Sequence, residues 1–307
     1  DALPILLGFF GGIWWVFDLL SHFRAQLLFG MLFLVLALLI GRRFKMALAL
    51  TPFSLLNLAV ILPLYVDAPP RPDATGLTLR VLHANVNARL GDPERVADLI
   101  GQFNPDIVHI VEFNESWRSS LADALGDYPF SVTRPRDDNF GIALFSRLPF
   151  RRSEIIEPGE ARLPTILADI MTEAGPLTVV GTHPLPPVNA RYTRLRDQQM
   201  ARLAERVTEI KTPTLLLGDL NATPWCRPFR RFLGQSDLRD SERGFGVQPT
   251  WPAGNLLLRV PIDHALHSPD IVTRARRIGP DIGSDHLPLM LELELSSGAA
   301  SPKHRAF

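Results

Sequence analysis

The first 66 residues of this 307-residue chain are almost wholly apolar and nearly all of its charge comes later, a division that restricts the possible folds more than any other feature. Three stretches, 2–20, 25–41 and 46–66, approach the roughly 20 residues that a helix needs to cross a bilayer. Between them lie only Ser21-His22-Phe23-Arg24 and Gly41-Arg42-Arg43-Phe44-Lys45. Core helices of a soluble protein are the competing reading. Ala25 to Ile40 carries no charge, however, and the chain offers little against which so much apolar surface could be buried. A cleaved signal peptide would account for the first stretch alone. Three transmembrane helices are therefore expected in residues 1–67. Trp14, Trp15 and Tyr65 stand near segment ends, where amphipathic rings favour the interface.

The second break has three cations in five residues and is expected on the cytoplasmic side. Arg24 counts the other way. The first break then faces outward, and so does everything after the third helix. The expected location is the inner membrane, multi-pass, with the later domain extracytoplasmic. Residues 68–77, which include Ala68-Pro69-Pro70-Arg71-Pro72, form an expected stiff linker. Residues 78–295 form the expected catalytic domain and 296–307 a flexible tail.

Charge narrows the partners. The chain has 32 Lys+Arg and 32 Asp+Glu; four and three of these precede residue 68, leaving 28 basic and 29 acidic for the remainder. A domain that grips long duplex DNA usually carries a basic excess, because phosphate neutralisation supplies much of the affinity. A small or lipid phosphoester remains compatible. The single cysteine, Cys226, excludes an intramolecular disulfide and a cysteine-rich zinc site, and reads as a packing residue.

After the linker, short β-rich runs alternate with helical stretches. Expected strands are Thr78–His83, Asp106–Val111, Gly141–Phe145, Ile166–Met171, Leu177–Gly181, Thr214–Leu217, Ile262–His267 and Pro288–Glu294. Expected helices are Pro93–Gln102, Ser116–Leu125 and Ala190–Ile210; the last has Leu195, Met200, Leu203 and Val207 near helical spacing. Many buried strands with interleaved helices predict an α/β fold, a two-sheet α/β sandwich preceded by the three transmembrane helices.

Polar residues recur where these apolar strands end: Asn85, Glu112, His183, Asp219 with Asn221, Asp263, and Asp285-His286. Each has a bland explanation alone, such as an Asx-turn or helix cap at Gly218-Asp219-Leu220-Asn221. Oxygen donors at strand ends suit Mg²⁺ or Mn²⁺ better than zinc, leaving the imidazoles for acid/base or charge-stabilising work. His83 and His109, inside strands, read as packing or rim residues. The groups Arg191, Arg194, Arg196 and Arg227, Arg230, Arg231 read as solvated helix faces, with Arg227 the exception nearest the catalytic loop, as a substrate contact.

The ordered set Asn85, Pro105-Asp106-Ile107 with Glu112, Gly141 to Arg147, Thr182-His183, Gly218-Asp219-Leu220-Asn221-Ala222, Ile262-Asp263-His264 and Gly283-Ser284-Asp285-His286 resembles the endonuclease/exonuclease/phosphatase superfamily. The resemblance implies a DNase I-like fold. The resemblance spans roughly residues 78 to 295 and implies an Mg²⁺-dependent phosphoester hydrolase, with Mn²⁺ as a substitute. Glu112 is then the principal metal carboxylate, with Asn85 and Asp285 completing or bordering the metal site. Asp219 orients or deprotonates the attacking water, and Asn221 steadies phosphate or water. His286, held by Asp263, stabilises developing charge, and His183 contacts the phosphate from the other side. Val111 stands where the family usually has Gln, and Asn139 lies near the place of a supporting polar residue.

The chemistry agrees: phosphoester hydrolysis needs a cation at the equatorial oxygens, a positioned water and a donor near the transferring group. The expected partners are a membrane and a phosphoester substrate, either a lipid phosphate or nucleic acid; no obligate protein partner is indicated. The rival class is a catalytically silent, membrane-tethered binding module of the same fold. It predicts decay at the catalytic positions, and each of them holds the expected residue type.

Overall fold

A computed structural model of the chain describes residues 3–66 and 76–295. The expected tail, and all but the last two residues of the expected linker, lie outside the described residues.

The apolar region departs from the expected three spans. Residues 2–20 do not form one helix: α1 (Leu3–Leu7) passes through a 3-10 turn, Gly8–Phe10, and the chain restarts as α2 (Trp15–His22). Gly11-Gly12 and the charged Asp18 explain the break, since glycine weakens a helix and a carboxylate needs a partner. α3 (Arg24–Ile40) and α4 (Phe44–Ile61) follow, then the short α5 (Pro63–Val66). Among the described residues α4 is long and apolar enough to cross a membrane, and α2 with α3 reaches that length only as a pair bent by 66°. Among the described residues the three expected spans are thus not confirmed: one helix, or two counting the bent pair, meets the length and apolarity of a span. α3 and α4 still show much apolar surface to the outside, including Phe29, Phe33, Ile40 and Leu48.

The first break, Ser21 to Arg24, does not face solvent as a loop. Ser21, His22 and Arg24 are buried. Trp225 donates its indole N–H to the His22 carbonyl (3.2 Å), and Leu28, Ile61, Leu64 and Trp225 form one apolar cluster. Arg24 and Asn57 bond reciprocally between α3 and α4. The Arg42-Arg43 turn lies at the far end of this hairpin, about 25 Å along a 17-residue helix.

The rest is a sandwich. In chain order come β1 (Leu77–Asn85), α6 (Pro93–Phe103), β2 (Ile107–Val111), α7 (Glu115–Ser120), β3 (Phe130–Arg134), β4 (Ile142–Ser146), β5 (Phe150–Ile156), β6 (Thr165–Thr172), β7 (Gly175–Thr182), α8 (Ala190–Thr208), β8 (Thr214–Asp219), α9 (Arg227–Ser236), β9 (Arg239–Asp240), β10 (Asp263–His267), β11 (Ile271–Ile278) and β12 (Leu289–Leu295). Two six-stranded sheets run β11-β12-β1-β2-β4-β3 and β5-β6-β7-β8-β10-β9. Each has one central parallel pair, β1 with β2 and β7 with β8, joined by crossovers containing α6 and α8. Local signals set the helix ends: Asp92 caps α6 ahead of Pro93, and left-handed Asn104 stops it.

Strand alternation decides what meets between the sheets. Val81, Val111, Leu144, Val179, Leu215, Leu217 and Ala265 share the inter-sheet core, while Leu82, Val108, Leu216 and Leu266 pack outward under the helices. His83 and Asn85 share the parity of Val81; His109 that of Val111; Asp219 that of Leu217; Asp263 that of Ala265. One end of the inter-sheet space is therefore polar by sequence.

Candidate active site

Asn85 is the hub. Its amide nitrogen lies 3.1 Å from Glu112 Oε1, 3.1 Å from Asp219 Oδ2 and 3.4 Å from His286 Nε2. The two hydrogens of that amide are taken up by the Glu112 and Asp219 carboxylates. Glu112 and Asn221 both have left-handed backbones, at φ 60° and 50°. Non-glycine residues rarely adopt this region except where function demands it. At Glu112 it ends β2 and turns the carboxylate toward Asn85 and the Ala88 N–H.

Asp219 faces both imidazoles of the site through Oδ2, at 3.4 Å from His183 and 3.6 Å from His286. Its Oδ1 accepts the Asn221 N–H (2.9 Å), the Asx-turn expected of this sequence. Asn221 donates its amide to the Pro184 carbonyl (3.1 Å), tying the catalytic loop to the segment after His183. Arg196 donates to the Asn221 carbonyl (2.9 Å) and to Asp18 of α2 (2.8 Å). Arg196 is completely buried, which corrects its reading as a solvated helix residue.

Asp263 receives His286 Nδ1 on Oδ2 at 2.8 Å and His83 Nε2 on Oδ1 at 3.2 Å. Burial alone would lower the His286 pKa, but the Asp263 and Asp219 carboxylates outweigh it and push it up to about 10. Burial would raise Asp263, yet His286 and His83 hold it well below its ordinary value. At neutral pH the pair is an imidazolium and a carboxylate. His183 is also raised: burial opposes protonation, and the Asp219 and Glu112 carboxylates overcome it.

His83 and His109 belong to this network rather than to the packing or the rim. Their Nδ1 atoms lie 2.9 Å apart, their rings stack, and both are buried. His109 reaches the opposite sheet, where its imidazole occupies the space that a side chain at Gly181 would need. Burial, followed by His83 and His183, pushes the His109 pKa well down, so it is neutral. Their parity with Asn85 on an apolar face was the available signal. Asn87 was also missed: it donates to Asp285 Oδ1 (2.7 Å), and its N–H bonds Asn85 Oδ1.

The remaining expected residues are placed differently. Asp285 accepts from Asn87 on Oδ1 (2.7 Å) and from the Trp251 indole on Oδ2 (3.0 Å), which joins it to Asn85 through Asn87. Asn139 is exposed in the loop before β4, next to Phe140, whose ring lies 5.3 Å from that of His183. Arg227 is not at the site: it begins α9 and packs its guanidinium against Gly12. The sequence neighbourhood of the catalytic loop misled because Pro228 starts a helix that carries Arg227 to the outer face.

The donor set fits a hard divalent cation. Glu112 and Asp219 are buried carboxylates that converge on the Asn85 amide, whose oxygen accepts the Asn87 N–H. Asp219, Asp263 and His286 also place ligand atoms within 4.8 Å of one another, although the Asp263–His286 bond competes with that use.

Known proteins share this fold. Residues 82–286 match the Endonuclease/Exonuclease/phosphatase family. No curated protein matches the chain. Among solved structures, an endonuclease/exonuclease/phosphatase from Beutenbergia cavernae is 20% identical with a TM-score of 0.60, covering 71% of this chain and 72% of that one. The human Nocturnin catalytic domain is 20% identical with a TM-score of 0.59, covering 73% and 97%. A Bacteroides thetaiotaomicron mannosyl-6-phosphatase is 17% identical with a TM-score of 0.60, covering 70% and 99%. At these identities the likeness is one of fold, the two-sheet sandwich; the match over residues 82–286 places the chain in the Endonuclease/Exonuclease/phosphatase family.

Proposed function

We propose that this chain is a divalent-metal-dependent phosphoester hydrolase, held at a membrane by α3 and α4 with its site on the extracytoplasmic side. The observation that carries the hydrolase reading is the position of Asp219, one carboxylate oxygen facing His183, His286 and the Asn85 amide while the other is fixed by the catalytic loop.

Glu112 and Asn85 would hold the cation, with Asp285 at the border; when bound it neutralises charge on the phosphoryl oxygens. Asp219 orients the attacking water and accepts its proton. His286 is kept protonated by Asp263 and donates to the oxygens on which charge develops. His183, also raised by Asp219, donates from the second sheet. Asn221 fixes the loop through Pro184. Phosphoryl transfer asks for positioning and charge stabilisation more than for covalent chemistry, and these groups supply both.

The orientation rests on two observations. The Ser21–Arg24 break packs on the catalytic domain, and Arg42, Arg43 and Lys45 lie at the opposite end of the hairpin. Basic loops favour the cytoplasm, which puts the catalytic domain outside.

The test uses the full chain in detergent with bis-p-nitrophenyl phosphate, with Mg²⁺ and with EDTA, and Asp219→Ala as control. Hydrolysis should require the metal and disappear in the variant. Turnover that survives EDTA, or survives in Asp219→Ala, would sink the mechanism. Wild-type protein that binds the ester without turning it over would favour the silent module.

A further inference from the structure

We propose that the Trp251–Val260 loop is a membrane-seated lip of the active site, and that the substrate is a lipid phosphoester from the bilayer leaflet beside it. The substrate half rests on the hydrolase reading above.

The loop displays three consecutive leucines: Leu256, Leu257 and Leu258 are 74%, 81% and 51% exposed. Their display is built, not a collapse left incomplete. Asn255 Oδ1 accepts the N–H groups of Leu257 and Leu258, and the Asn255 N–H bonds the Pro252 carbonyl. Arg259 closes the base by donating to the carbonyls of Pro252 and Ala253. A turn that holds apolar side chains outward in water at this cost implies an apolar partner.

Two further contacts fix what that partner is. On one side the loop belongs to the active site: Trp251 donates to Asp285, the Ala253 N–H bonds the Asp285 carbonyl (2.7 Å), and the Trp251 ring lies 6.4 Å from that of His286. On the other side Gln26, in the first turn of α3, donates its amide to the carbonyl of Arg259 (2.9 Å), the residue after the leucines. Phe29, 73% exposed, follows about 4.5 Å further along α3, where the helix turns its apolar surface outward. The leucine run therefore begins at the level at which α3 enters its apolar surroundings. The occupant is the bilayer leaflet around α3 and α4.

A lipid held there keeps its chains beside the leucines and α3 while its phosphate reaches Asp219, His183 and His286. A polyanion finds less at this rim. Arg259 is committed to bracing the loop, and Arg136 makes a bidentate pair with Asp138.

The chain's single cysteine permits a direct test. Cys226 is buried, and burial pushes its thiol up to about 12, so a Leu257→Cys variant takes a bimane label selectively. In full-length protein reconstituted into phosphatidylcholine vesicles, brominated phosphatidylcholine should quench the label. A label quenched only by aqueous iodide overturns the lip. For the substrate, the double variant Leu256→Ser/Leu257→Ser is compared with wild type on long-chain phosphatidic acid in vesicles and on soluble dihexanoyl phosphatidic acid. The vesicle-to-soluble ratio of kcat/KM should fall about tenfold or more. An unchanged ratio overturns the interfacial role. A single-stranded oligonucleotide cleaved by wild type in preference to both lipids overturns the lipid substrate and leaves the hydrolase reading intact. Absence of Mg²⁺-dependent hydrolysis of every probe removes the hydrolase reading and the lipid substrate together, and the label alone then decides the lip.

Discussion

At Asp263 one buried carboxylate faces two imidazoles, His286 at 2.8 Å and His83 at 3.2 Å. Replacing it by Asn preserves shape and removes the charge that keeps His286 protonated. Asp263→Asn should lower kcat by ~10²–10⁴ with a cooperative melt retained, measured by steady-state kinetics and circular dichroism. The sign of the pH effect follows. A raised folded pKa means that the stability His286 contributes is complete below its ordinary 6.5 and lost as pH climbs through about 10. Wild-type activity should therefore fall on the alkaline side, and the variant's alkaline limb should move to lower pH. Glu112→Gln tests the metal reading separately: its Mg²⁺ half-saturation should rise at least about tenfold, and an unchanged value would remove Glu112 from the metal site. A third residue lies away from the chemistry. Glu242 is buried, and burial pushes its pKa up to about 8 despite Arg276. The folded state then holds a proton that the unfolded state releases from 4.5 upward, so stability falls as pH rises from 4.5 through about 8. In Glu242→Gln the melting temperature should lose that part of its pH dependence.

Among the elements, α2 and α8 are coupled through a single guanidinium. Arg196 on α8 bonds Asp18 on α2, its neighbour Asp197 and the Asn221 carbonyl, so a helix of the apolar N-terminal region takes part in holding the Gly218–Asn221 loop. Removing Asp18 takes one of two carboxylates from the buried guanidinium while Asp197 remains, a loss of about 1.5–3 kcal/mol. Asp18→Asn should lower the melting temperature accordingly and reduce kcat, although Asp18 touches no part of the reaction centre. A double-mutant cycle with Arg196→Met measures the coupling, and additive effects would show that the two do not act together. At this scale the strands were legible and the edges less so. The eight expected strands are all present within one or two residues at either end, because apolar runs bounded by turn signals are unambiguous. β3, β5, β9 and β11 were not anticipated: β9 is two residues long, the burial of the others alternates or is partial, and Arg134, Arg151, Arg152, Arg274, Arg276 and Arg277 interrupt the apolar pattern. α7 stops at Ser120, short of the expected Leu125.

For the whole molecule, the apolar region and the sandwich share an interface. Trp225 and Leu28 pack together, and the Leu64 carbonyl accepts the N–H groups of Gly244 and Gly246. A fragment of residues 68–307 would expose Trp225 and leave Arg196 without Asp18. Relative to the full chain it should melt at lower temperature and self-associate on size-exclusion chromatography; equal stability would show that the interface contributes little.

The sequence by itself determined the two-sheet sandwich and the order of strand-end polar residues, since apolar alternation and turn chemistry are local and survive without any knowledge of neighbours. Asn85, Glu112, Asp219, Asp263 and His286 were found this way because each ends or adjoins an apolar run. Tertiary structure alone decided which of them meet. Parity placed His83 and His109 between the sheets, but only the approach of β2 to β7 and of β1 to β10 made them part of the Asp263 network. Arg196 looked like one of several helix-surface arginines until Asp18 arrived from 178 residues away. The first apolar stretch was long enough to span, yet that carboxylate was better satisfied against the sandwich than in hydrocarbon, and the stretch folds back instead.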